Sequence, residues 1–202
     1  MLLGSLIDSS KATHALDIGA GTGVLSLMVL QTNPTVLIDA VEIHPEAAKE
    51  CALNFQNSPW ADRTRVHEVD FLNFQGQGKY DLIFSSNVLE HIENDSEVLL
   101  NLKSHLAPNG VLVTYVPAFP ILFSDHDRAV GHFRRYTKKS LMLKLLHAGF
   151  EIDRLRYVDS IGFPASLLVR IFGYKSRGNI GGLASFRIYD KYFFAVARLV
   201  TL

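Results

Sequence analysis

Three glycines at alternate positions, Gly19, Gly21 and Gly23, separate one short apolar run (residues 15–18) from another (residues 24–30). Glycine lets a backbone turn sharply and leaves no side chain between the main chain and a ligand. A helix that starts in such a turn aims its free N–H groups and positive dipole end into it. This arrangement suits the carboxylate or phosphate end of a nucleotide-like cofactor. Spacing narrows the choice. A dinucleotide fingerprint requires a small residue three positions after its second glycine, and here that position holds Val24. A nicotinamide-dependent oxidoreductase is therefore the weaker alternative.

Further candidates follow at regular intervals. Glu42 lies nineteen residues beyond Gly23, at the end of an apolar run, where a carboxylate can accept from both hydroxyls of a ribose. Asp70 and Phe71 offer an acceptor for an amino group and a ring to lie on a base. Residues 85–92 place Asn87, Glu90 and His91 after a fourth apolar run. Each has a plainer reading. Strand-end acids cap helices or face solvent, Phe71 can belong to the core, and Asp17 can simply brace the glycine turn.

A second cluster occupies residues 123–136 and includes Asp125, His126, Asp127, Arg128, His132, Arg134, Arg135 and Tyr136. Histidine titrates near neutrality and can take a proton from a hydroxyl. The order of candidates for that base is His126, His132, then His91. Arg134 and Arg135 can clamp a carboxylate or phosphate, with Asp125 and Tyr136 beside them. The alternative is a solvated loop tied by internal ion pairs. No metal is expected, because Asp125, His126 and Asp127 cannot wrap one ion from consecutive positions and no Cys/His spacing fits zinc.

The elements that must position these residues alternate between strand and helix, which predicts a parallel sheet covered on both faces. Strands are expected over residues 14–18, 35–42, 65–69, 80–85, 111–116 and 150–158. Helices are expected at 24–30, after Pro45 with Ala48, Cys51, Ala52 and Phe55 on one face, after Asn94 with Val98, Leu99, Leu102 and Leu106, and after Thr137 with Leu141, Leu145 and Ala148. Pro108, Asn109 and Gly110 predict a turn into the fifth strand. Residues 117–136 form a connection of about twenty residues, a length usual for functional or disordered loops.

Over residues 10–158 the motifs 16–23, Glu42, 69–71, 80–83 and 88–92 resemble the class I S-adenosylmethionine-dependent methyltransferases of the type 11/12-like bacterial subgroup. The resemblance implies an α/β Rossmann-like sandwich with a mostly parallel sheet in the order 3-2-1-4-5, then a sixth strand. It implies S-adenosylmethionine as cofactor and S-adenosylhomocysteine as product. Asp17 and the turn Gly19, Ala20, Gly21, Thr22, Gly23 would hold its amino-acid end, and Glu42 with Ile43 its ribose. Asp70 and Phe71 would frame adenine, and Asn87 would line the pocket by the sulfonium. The 123–136 stretch looks like one in bacterial methyltransferases of sugar or lipid pathways, which implies a small-molecule, sugar or lipid acceptor. A non-catalytic binding module on the same fold is the other alternative.

The chain has 202 residues, 48% of them apolar, which suits a single domain with a sizeable core. Lys and Arg together number 20, as do Asp and Glu, so no global field draws the protein to nucleic acid, and no nucleic-acid partner is expected. A single cysteine, no apolar run long enough for a membrane span and no secretory pattern predict a cytoplasmic protein. Residues 1–158 read as the cofactor domain and 159–202 as a helical extension. Helices are expected at 164–173 and 186–200, with the usual last antiparallel strand missing, as in a truncated product. Residues 160–202 carry six basic residues against Asp190 alone, a net of +5, which suits a cap, a homodimer interface or peripheral contact with an anionic membrane.

Overall fold

The computed structural model describes residues 12–157, apart from 34 and 77. Five strands form one parallel sheet: β1 (His14–Ile18), β2 (Leu37–Glu42), β3 (Thr64–Glu68), β4 (Tyr80–Ser86) and β5 (Leu106–Tyr115), in the order β3-β2-β1-β4-β5. Between them lie α1 (Val24–Thr32), α2 (Pro45–Gln56) and α3 (Asp95–His105), followed by the short α4 (Asp125–Ala129) and α5 (Lys138–His147).

Alternation along the strands assigns the two faces. Ala15, Ile38, Leu82 and Phe84 pack with Val29 and Leu30 of α1, and Ala40 packs with Cys51 and Phe55 of α2. Leu16, Ile18 and Ile83 point to the opposite face, where Val98, Leu99 and Leu102 of α3 meet Leu141 and Leu145 of α5. Both faces of the sheet are covered, so the central strands read as nearly continuous apolar runs.

Two expectations change. Residues 108–110 form an irregularity inside β5 rather than a turn before it: the register with β4 shifts between Tyr80 and Leu82, and Asn109 has φ of 62°. Pro108 is tolerated there because β5 is an edge of the described sheet and a missing donor costs little on an edge. The sixth strand is not formed over residues 151–157. Phe150, Ile152 and Leu155 instead pack on the α3/α5 side of the core. Their spacing recorded burial, which a strand and an extended segment share. The helices expected at 164–173 and 186–200 and the cap, dimer and membrane readings of 160–202 lie outside the described residues. No helix among the described residues is long and apolar enough to cross a membrane.

Residues 117–136 fold back on themselves. The Phe119 N–H donates to the Tyr136 carbonyl (2.9 Å) and the Tyr136 N–H to the Pro117 carbonyl (2.8 Å), closing the base of the loop. Asp95 at the start of α3 fastens this base to the body. Its carboxylate accepts from Tyr136 Oη (2.8 Å), Arg134 Nη1 (2.9 Å) and Lys144 Nζ of α5 (2.6 Å). Burial opposes ionisation of Asp95, but the Lys144, Tyr136 and Arg134 hydrogen bonds outweigh it and hold its pKa below the ordinary value.

A depressed carboxylate contributes stability that is present above its unfolded pKa, near 4, and lost as pH falls through the folded value. Asp95→Asn should therefore destabilise the fold at pH 7 by about 3–5 kcal/mol, the usual cost of removing one partner from a buried ion pair. Urea unfolding of the two proteins should show this gap at pH 7 and a shrinking gap below pH 4.

Candidate active site

Between β1 and β4 the chain reverses its direction of winding, and in open parallel sheets this is where a crevice opens beyond the strand ends. The glycine turn follows β1 there, and residues 87–91 follow β4. All three turn glycines have positive φ: 65° at Gly19, 55° at Gly21 and 80° at Gly23. Space separates their roles. A Cβ on Gly19 would stand 2.5 Å from Val88, and one on Gly23 2.7 Å from Cys51 Sγ and 2.8 Å from the Phe55 ring. Gly19 therefore lets β1 approach the β4 loop, and Gly23 lets α1 approach α2. Nothing lies within 4 Å of the Cβ position at Gly21. That glycine keeps an open surface over the turn.

Glu42 braces the turn from the end of β2. Its carboxylate accepts from the Gly21 N–H (2.8 Å) and the His44 N–H (2.9 Å) and is buried. Asp17 is also buried and accepts from the Ser26 hydroxyl of α1 at 2.7 Å. Burial pushes the Asp17 carboxyl up to about 7; the Ser26 hydrogen bond works against this and the charge of Glu42 adds to it.

A second constellation lies beside the β4 end. Leu89–His91 form a 3-10 turn, and the Phe133 N–H donates to the Glu90 carbonyl at 2.8 Å, pulling the 117–136 loop onto that turn. Asp127, fully buried at the start of α4, gathers the loop. It accepts from the Ser124 N–H and hydroxyl (2.8 and 2.9 Å) and from Arg135 through Nε and Nη2 (2.8 and 3.1 Å), and it lies 3.0 Å from His132 Nδ1. Burial works against its charge, but the His132, Arg135 and Ser124 hydrogen bonds outweigh it and hold Asp127 well below the usual carboxylate range. His132 Nε2 then faces Glu90 Oε1 at 4.0 Å, and its ring meets that of His91 edge-on, with centroids 4.5 Å apart. Burial pushes Glu90 up to about 8 and, helped by His132, pushes His91 down to about 4.

The expected acceptor clamp is corrected. Arg135 is committed to Asp127, and Arg134 to Asp95 and the Glu93 carbonyl, while Tyr136 is buried on Asp95. Asp125 is exposed and pairs with Arg128. The loop is thus tied by internal ion pairs, although buried rather than solvated ones. Of the three histidines, His132 and His91 come together, and His126 lies on α4. Asp70 caps the 3-10 turn Phe71–Asn73 by accepting from the Leu72 N–H, and Phe71 packs in the core against His105. Ile43 is exposed just past Glu42, and Asn87 is exposed with φ of 54° at the β4 end. Sequence reading missed Asp127 as the organiser and Ser26 as the partner of Asp17. A signal for the first was present: Ser124 and Asp127 have the spacing of a helix capping box, which the structure forms.

Residues 16–112 match the family described as a methyltransferase domain. The tRNA1(Val) (adenine(37)-N6)-methyltransferase of Aliivibrio fischeri is 48% identical over 83 residues, covering 41% of this chain and 36% of that protein. The chain thus matches about a third of the length of such curated relatives. Among solved structures, an O-methyltransferase family protein from Burkholderia thailandensis superposes with a TM-score of 0.66 at 16% identity, covering 77% of this chain and 52% of that one. The [4+2]-cyclase SpnF superposes with 0.63 at 21% identity, covering 76% and 57%. At these identities the structures establish the fold alone. The curated relatives overturn the expectation that excluded nucleic acid, since their names place them on tRNA. A balanced net charge was a poor guide, because a local surface field does not follow from a chain total.

Asp17 supplies a pH test of this geometry. A carboxyl raised from 3.8 to about 7 contributes stability that is fully present below pH 3.8 and lost as pH rises through 7. Asp17→Asn removes this slope, so the variant should gain on the parent between pH 5 and pH 8, by at most about 3 kcal/mol. Melting temperatures of both proteins across that range check the sign.

Proposed function

We propose that this chain, a member of the class I S-adenosylmethionine-dependent methyltransferases, binds S-adenosylmethionine at the β1 turn and transfers its methyl group to a nucleophile beside the β4 end. One observation carries the reading: Gly21 keeps an open backbone surface while its N–H is fixed by the buried carboxylate of Glu42. The residues fit the cofactor. Asp17 and the turn can take its amino-acid end, Glu42 retains lone pairs for ribose hydroxyls, and Asn87 stands where β4 meets the crevice. When bound, the sulfonium supplies an already activated methyl group. The chain's own task is alignment of the acceptor and removal of its proton.

For the acceptor, the curated relatives support a first reading, an exocyclic amine of a tRNA adenine. Methylating such a nitrogen gives a cationic product that sheds its proton readily, so no strong base is required. A second reading, an acceptor hydroxyl, is favoured by the contact between Asp127 and His132. A carboxylate on Nδ1 fixes the imidazole with Nε2 turned toward Glu90 and His91, the arrangement of an oriented proton acceptor.

Gly21→Leu should abolish binding of S-adenosylhomocysteine in calorimetry while circular dichroism stays that of the parent. Glu42→Ala should weaken binding by about 1.5–3 kcal/mol, the scale of a hydrogen bond to a charged group. Unchanged affinity in the Gly21 variant would refute the cofactor site. With labelled S-adenosylmethionine, unmodified tRNA and a panel of phenols and alcohols separate the acceptor readings. A hydroxyl acceptor predicts loss of turnover in His132→Ala by about 100-fold or more; an adenine acceptor predicts a much smaller loss.

A further inference from the structure

Among the described residues, Glu90 is the one buried carboxyl whose environment does not account for it. It is fully buried, and apart from its own backbone N–H neither carboxylate oxygen has a hydrogen-bond partner among the described residues. Leaving such a group unpaired is costly. Every other buried acid at this end of the sheet has donors. Asp17 has Ser26, Glu42 has two backbone N–H groups, and Asp95 and Asp127 have three partner residues each. Oε1 of Glu90 faces His132 Nε2 at 4.0 Å, too far for a hydrogen bond.

We propose that Glu90, His91 and His132 form a binding site for one divalent d-block cation of the zinc class. One ligand atom from each of the three lies within 4.8 Å of the others. Two imidazoles and one carboxylate are the donor set of catalytic zinc and of non-haem iron sites, which keep a position open for water or substrate. Magnesium and calcium are disfavoured, since both require more oxygen ligands than one carboxylate supplies. The surroundings match a metal site as well. Asp127 on Nδ1 of His132 is the carboxylate that orients a metal-binding imidazole and raises its basicity. The Gly131 backbone forms a hydrogen bond with His91. Around zinc, donors stand roughly 3.4 Å apart given bonds of about 2.0–2.1 Å, so the three groups must contract slightly.

The sequence reading rejected a metal because adjacent residues cannot wrap an ion. The fold answers that objection by bringing His132 from the far side of the 117–136 loop. The site does not rest on the cofactor assignment; a bound ion would occupy His132 Nε2, so that atom could not serve at the same time as the proton acceptor of the hydroxyl reading.

The test uses the full chain, stripped with chelator and titrated with Co²⁺ followed by visible absorption, then challenged with Zn²⁺. One Co²⁺ per chain, displaced by Zn²⁺, is expected. In the unmodified protein, Zn²⁺ should shift the ring ¹⁵N resonances of His91 and His132 and leave those of His14 and His147 in place. Uptake should vanish in Glu90→Gln and His91→Gln, and weaken by about 10–100-fold in Asp127→Asn, while affinity for S-adenosylhomocysteine persists. Absence of stoichiometric uptake by the unmodified protein overturns the proposal. So does uptake that survives in both ligand variants, or resonance shifts confined to other histidines.

Discussion

A carboxylate taken out of water must be given donors, and much of this structure follows from how that requirement is met. Glu42 meets it with two backbone N–H groups, and in doing so holds the strand-to-helix turn in a shape that needs positive φ at three glycines. Asp95 meets it with three side chains, two from the loop and one from α5, which turns a long connection into a fixed part of the body. Asp127 does the same within the loop and sets the orientation of His132. Each ion costs several kcal/mol to desolvate, so no single pair need stabilise the fold on balance. Their effect is on uniqueness: the loop has one arrangement that leaves these charges satisfied.

The parts of the fold that sequence revealed are those governed by local rules. The five strands and their parallel pairing were legible because each strand is apolar and each connection short, and the glycine turn marked where the first strand ends; the order β3-β2-β1-β4-β5 came from the family resemblance. Acids at the ends of β2 and β3 could be located by the same logic. Boundaries that depend on long-range pairing were not legible. Residues 150–157 carry an apolar pattern compatible with a strand, yet the pattern only reports which side chains are buried. The proline-bearing bulge in β5 likewise resembles a turn until its partner β4 is known.

In the polar loop, folding decides the partners of the charged groups. Arg134 and Arg135 have the residue type for gripping an anion, and they do grip anions, Asp95 and Asp127 of this same chain. Spacing along the sequence cannot separate an internal partner from an external one, because the deciding acids lie at distances that only folding closes. His126 ranked first as a base by its neighbours in sequence. The structure instead sets His132 against Asp127, five residues earlier, at 3.0 Å.

That difference bears on how such a scaffold acquires its reaction. A protein of similar fold is a cyclase, so the sheet and its glycine turn do not by themselves dictate chemistry. What they supply is an approach: Val88 fills the place of a missing Cβ at Gly19, which sets the β4 end against the turn at van der Waals range. Whatever follows Val88 is then carried to the mouth of the crevice. In this chain it is a buried acid and a histidine, met from the other side by a second histidine on a rigidly tied loop. The glycine turn and the Asp127 network thus act on the same few ångströms from opposite directions. One fixes the backbone at the end of β1; the other fixes the acid and the two histidines at the end of β4.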